Sequence, residues 1–175
     1  MRNTIMGSIL ILAVSTLGVA CARSPQPLDA AADKASVGAV EVPTRQSTGH
    51  ALPLMVVNKN ASCSCCKAWV DQMRQAGFPV EVHDLDNLDP IKTRVGVPVG
   101  KGSCHTAEVG GYFVEGHVPA KDIKRLLAQK PDAKGLVVPG MPLGSPGMEM
   151  PDGTMQPYAV GLVHRDGTTT TFAQH

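Results

Sequence analysis

Three of the chain's five cysteines fall within four residues, as Cys63-Ser64-Cys65-Cys66. Three thiols on so short a turn exceed the need of one structural disulfide, and they suit either thiol–disulfide exchange or a soft metal ion. Cys63 and Cys66 have the C-x-x-C spacing of thiol–disulfide oxidoreductases. Cys65 adds a C-x-C pair that a redox catalyst does not need, since a third thiol can trap its mixed disulfide. A copper(I) site does gain from it, because thiolates hold that ion in two- or three-coordinate arrangements and can bridge several ions. Adjacent Cys65 and Cys66 also count against pairing Cys63, Cys65, Cys66 and Cys104 into two simple disulfides, since a bond between neighbours strains the backbone. Structural disulfides alone, or structural zinc in a Cys₃His site, are the plainer alternatives. The Glu-x-x-His type of ligand set that a hydrolytic zinc enzyme uses is missing.

Further soft donors lie downstream. Cys104-His105 follows Ser103, after the loop Val97-Pro98-Val99-Gly100-Lys101-Gly102. Met141, Met148, Met150 and Met155 fall where no periodicity buries them, in the stiff turns Pro139-Gly140-Met141-Pro142 and Pro146 to Pro151 and just beyond. Thioethers form no disulfides and need no deprotonation, so they suit copper(I) in an oxidising compartment. The plain alternative is methionine filling gaps over a core. His117, alone in Glu115-Gly116-His117-Val118-Pro119, reads as a capping or surface residue. His83 and His164 read as strand or surface residues, and His50 and His175 as tail residues.

The elements that must position these donors can be read in order. An apolar run predicts a strand over 53–58, and Cys66, Trp69, Val70, Met73 and Ala76 recur at helical spacing in a helix over 65–76. Gly77 supplies its left-handed stop. The cysteine turn therefore sits at a helix N-terminus, where the dipole and free N–H groups favour thiolate. Phe78 to Leu85 predicts a second strand, and Asp89-Pro90 opens a short helix ending near Gly96. Thr106–Val109 and Tyr112–Val114 predict a hairpin across Gly110-Gly111. Pro119 starts a last helix carrying Ile123, Leu126 and Leu127, which stops before Pro131. The order β-α-β-α-β-β-α predicts an α/β, thioredoxin-like domain over 51–132. In that fold the loop before the third strand lies beside the cysteine turn, which would bring Cys104 to the other thiols. Residues 133–175 predict a Met/Pro/Gly-rich extension. Its stretch from Gly135 to Pro157, with five prolines and four methionines, shows no strand or helix period. It ends in a β-hairpin of Tyr158–His164 and Thr168–Phe172 about Arg165-Asp166-Gly167.

Residues 1–22 read as an export signal: Arg2, an apolar run from Ile5 to Ala20, then small residues. Leu17-Gly18-Val19-Ala20-Cys21 fits a lipoprotein box with Cys21 acylated, while Ala20-Cys21-Ala22 fits ordinary cleavage. Either way the reading is periplasmic, in an oxidising compartment, with membrane anchoring in the first case. Residues 23–50 are polar and Pro-punctuated, a flexible linker that would let an anchored domain stand off a membrane. The formal charge is +1, and removing Arg2 takes it to zero. With no basic stripe interleaved with aromatics, the chain does not read as a nucleic-acid binder.

Together these residues resemble the CopG family, small exported C-x-C-C proteins associated with bacterial copper resistance. The matching stretches are Cys63 to Cys66, Gly96-Val97-Pro98, Ser103-Cys104-His105-Thr106-Ala107, Gly111 to Ala120 and Val138 to Glu149. The resemblance implies a thioredoxin-like domain whose C-terminal extension folds against the C-x-C-C turn. It also implies copper held by Cys63, Cys65, Cys66 and Cys104, with His117, Met141 and Met148 as further ligands; Met150 and Met155 lie outside the matching strings. Copper ions and other periplasmic copper-handling proteins are the implied partners. The implied function is a periplasmic copper-binding protein that sequesters, transfers or interconverts Cu(I) and Cu(II), the last being a copper oxidoreductase role. The rival reading is a thiol–disulfide oxidoreductase in which Cys63 attacks and Cys66 resolves.

Overall fold

The computed structural model describes residues 51–175. The expected export signal and linker, with Cys21 and His50, lie outside these residues. Strand β1 (Met55–Lys59) leads through a turn into helix α1 (Ser64–Gln75), followed by strand β2 (Val80–Asp84) and helix α2 (Asp89–Val95). Strands β3 (His105–Val109) and β4 (Tyr112–Glu115) precede helix α3 (Ala120–Gln129). Strands β5 (Ala133–Val137), β6 (Ala159–His164) and β7 (Thr169–Gln174) complete the chain. No helix among the described residues is long and apolar enough to cross a membrane.

The strands form one seven-stranded mixed sheet in the order β2-β1-β3-β4-β5-β6-β7. β1 runs parallel to β2 and β4 parallel to β5, while the remaining neighbours are antiparallel. Glycines at φ 56° and 86°, Gly110 and Gly111, turn β3 into β4, a left-handed pair that other residues rarely adopt. Helices α1 and α3 bury one stripe each: Cys66, Trp69, Val70 and Met73 from α1, and Ile123 and Leu126 from α3. They share a single core with Met55, Val57, Val114, Leu136 and Val160 of the sheet. Complete burial of Ile123 and Leu126 contributes about 1.5–3 kcal/mol each. Trp69 is fully buried, and its indole N–H donates to Val118 O at 2.9 Å, tying α1 to the chain that enters α3.

Two local expectations are corrected. The stretch from Gly135 to Pro157, read as lacking strand character, begins inside β5. Gly135 pairs with Phe113 of β4, and a Cβ there would overlap the Phe113 carbonyl oxygen. The glycine that permits this close approach also interrupts the apolar pattern by which a strand is recognised. Helix α2 takes Leu88 as its N-cap in place of Asp89, which becomes the first helical residue. Leu88 has no capping side chain, and Asn87 Oδ1, two residues before Asp89, accepts the Asp89 N–H at 2.9 Å instead.

Candidate metal centre

The centre begins at the turn between β1 and α1. Asn60 Oδ1 accepts both the N–H and O–H of Ser62, at 3.0 and 2.6 Å, which closes the turn. Cys63 then becomes the N-cap of α1, its Sγ accepting the Cys66 N–H at 3.3 Å. Helix N-termini leave N–H groups without intrahelical partners, and here sulfur occupies the place that Ser or Asp usually takes. Cys63 and Cys66 are joined in a disulfide, while Cys65 and Cys104 are free. Cys65 Sγ lies 3.5 Å from Cys63 Sγ, and Cys66 Sγ lies 3.6 Å from Cys104 O. All four sulfurs fall within 4.8 Å of one another.

Cys104 ends the loop that leads into β3, and it faces two imidazoles. His117 Nε2 lies 3.0 Å from its Sγ and His105 Nδ1 lies 3.4 Å away, so that Cys104, His105 and His117 make a second donor group sharing one sulfur with the first. His117 follows Gly116, whose φ of 74° bends the chain out of β4. It is fully buried, and its Nδ1 donates to Pro146 O at 2.8 Å, which leaves Nε2 as the bare nitrogen toward sulfur. This is the way second-shell partners orient metal-binding imidazoles. Burial holds the His117 imidazolium below its ordinary pKa of 6.5. Burial, followed by repulsion from Cys65, pushes the Cys104 thiol up to about 11. In the absence of metal the pair is therefore a neutral thiol donating to a neutral imidazole, the opposite of an activated thiolate–imidazolium pair.

The extension folds against this turn. Met141 Sδ lies 4.0 Å from Cys65 Sγ, with the Met141 side chain half exposed. Met148 is half-buried in a turn closed by its N–H on Ser145 O at 2.7 Å. The neighbouring Gly147, at φ 84°, packs directly on α1: a Cβ there would sit 2.6 Å from Cys65 O and 2.9 Å from Trp69 N. Met150 and Met155 are exposed. The other described histidines have ordinary partners, His83 with Glu81, His164 with Thr170 and His175 with Asp122.

Sequence reasoning quoted His105 beside Cys104 but gave it no role of its own. It is fully buried, 4.4 Å from the Trp69 ring and 5.1 Å from that of His117, centroid to centroid. Its Nε2 is the buried side-chain polar atom that lacks a hydrogen-bond partner among the described residues. Burial, reinforced by the charges of His117 and Lys92, drops its pKa from 6.5 to about 3. The available signal was its adjacency to Cys104. Neighbours on a strand point to opposite faces, but Cys104 precedes β3, so both side chains reach the same space.

Two donor groups built from sulfur and imidazole, with no carboxylate in either, suit a soft or borderline ion and disfavour magnesium or calcium. A family model described as "Protein of unknown function, DUF411" matches residues 101–148, which hold Cys104, His105, His117, Met141 and Met148. A protein from Pyrococcus abyssi described as a probable phosphoenolpyruvate synthase is 36% identical over 63 residues, 35% of this chain. The chain spans only 8% of that enzyme's length. Two solved structures titled as copper resistance protein CopG, form 1 and form 2, are 43% and 42% identical, each with a TM-score of 0.67. In both cases the match covers 71% of this chain and 98% of the solved chain. With identity of this order over nearly the whole of those structures, the chain belongs to the CopG family of copper resistance proteins.

Proposed function

We propose that this protein binds copper in a copper-resistance role, sequestering it, passing it on or interconverting Cu(I) and Cu(II). The ligands in this reading are Cys63, Cys65, Cys66 and Cys104, with His117, Met141 and Met148 contributing. The observation that carries it is the convergence of four cysteine sulfurs within 4.8 Å at one helix N-terminus. The likeness to two solved copper resistance proteins points to copper as the metal. Sulfur ligation by all four cysteines first requires an external dithiol reductant to give the Cys63–Cys66 disulfide two electrons and two protons, itself becoming a disulfide, and the two thiols formed then release their protons to solvent as the ion binds. Thioether and imidazole need no such reduction, so Met141, Met148 and His117 stay competent in an oxidising compartment.

The scaffold in this reading is a thioredoxin-like domain over 51–132 with an extension over 133–175. Support comes from the sheet order β2-β1-β3-β4, in which β3 opposes both its neighbours, and from cysteines at the start of the first helix. Export through residues 1–22, with either lipidation at Cys21 or ordinary cleavage, would place it in the periplasm beyond the linker at 23–50. Other copper-handling proteins there would be its partners.

The disulfide at C-x-x-C spacing favours a second reading, a thiol–disulfide oxidoreductase using Cys63 and Cys66. Cys65→Ser separates the two. Copper handling requires the variant to bind Cu(I) more weakly than the parent in competition with a chelator, with insulin reduction negligible in both. Undiminished insulin reduction together with unchanged Cu(I) affinity would favour the exchange reading.

A further inference from the structure

We propose that Glu115, with Lys92 as its counter-ion, is the positioning residue that places Cys104 and Met141 at the metal centre. This rests on the copper reading above for its consequence, though not for its geometry. Glu115 ends β4 with its side chain fully buried, where a carboxylate is tolerated only if paired and hydrogen-bonded. Its oxygens accept from the Lys92 ammonium, from the Ser103 N–H at 2.6 Å and from the Thr106 hydroxyl at 2.7 Å. Lys92, delivered by α2, also donates to Thr106 Oγ1 at 3.0 Å.

The network is aimed at the two loops that carry sulfur. Ser103 is the residue before Cys104, and neither belongs to a strand. The Ser103 hydroxyl in turn donates to Gly140 O at 2.5 Å, and Gly140 is the residue before Met141. The Gly140 N–H returns to Gly102 O at 3.3 Å. From the backbone side, Val138 N–H donates to Glu115 O at 2.9 Å. Gly116 lets the three segments close, since a Cβ there would stand 2.5 Å from Val138 O and 2.7 Å from Ser103 Cβ. The carboxylate thus holds the segment before Cys104 directly, and the Ser103 hydroxyl relays that hold to the segment before Met141.

The test is a double-mutant cycle on Cu(I) affinity with Glu115→Gln and Cys104→Ser. Second-shell partners of metal ligands are worth about 10–100-fold in affinity. Glu115→Gln should cost a loss of that order in the parent and far less once Cys104 is already serine. Equal losses in both backgrounds would overturn the proposal. Should Glu115→Gln fail to fold, Ser103→Ala carries the same test through the half-exposed hydroxyl, and its cost should vanish in a Met141→Ala background; an equal cost there also overturns it. A copper-free arm follows alkylation of the two free thiols in full-length protein. Positioning predicts that Glu115→Gln speeds reaction at Cys104 and leaves Cys65 unchanged, whereas a parallel rise at both means general loosening and contradicts it. A protein that bound no copper would sink the copper reading, and the alkylation arm would still decide whether Glu115 places Cys104.

Discussion

His105 buries one ring nitrogen, Nε2, that no hydrogen bond satisfies among the described residues. With its Nε2 unpartnered and its pKa near 3, the imidazole stays neutral in the native state while the unfolded chain protonates at its ordinary 6.5. Between those values the unfolded state binds the extra proton, so the native state is most stable above pH 6.5 and weakens as pH falls toward 3. His117, also held low by burial, acts in the same direction. For metal-free protein, His105 alone should remove about 2 kcal/mol between pH 7 and pH 5, at ~1.4 kcal/mol per unit below its unfolded pKa. His105→Phe, which keeps the ring and removes the unpaired nitrogen, should lose correspondingly less over that interval in urea unfolding. Equal losses in parent and variant would mean that His105 is solvated. At this scale the cysteines were legible in the sequence because their spacing is itself the signal. The place of Cys104 among them depended on a fold expectation. His105 was not legible, because burial against Trp69 is a property of packing that spacing does not encode.

Helices α1 and α3 were readable because each carries one apolar stripe at helical spacing, with a glycine or proline at its end. β5 was hidden by Gly135, whose missing Cβ is what lets it lie against Phe113. The loop over Pro139–Pro157 held its donors in view but gave no sign of where they would rest, since turn chemistry fixes local bends and not tertiary docking. Gly147 is the point of contact that decides this. Gly147→Ala combines a left-handed backbone with a Cβ 2.6 Å from Cys65 O, and should destabilise the docked loop by about 2 kcal/mol or more. Limited proteolysis of the variant should cut between Pro139 and Pro157 faster than in the parent, with β1 to β4 still protected. Unchanged cutting would mean that the loop is held by its other contacts and that Gly147 is dispensable.

Across the whole molecule, sulfur donors separated by some eighty residues meet because the sheet runs on from β4 through β5 and returns the extension to the start of α1. The copper-binding claim stands on that convergence, and anaerobic Cu(I) titration of fully reduced protein tests it most directly. The account predicts at least one tightly held Cu(I) per chain, with a thiolate-to-copper absorption that is lost when Cys65 and Cys66 are replaced by serine. Less than one ion per chain, undiminished by those two replacements, would contradict it.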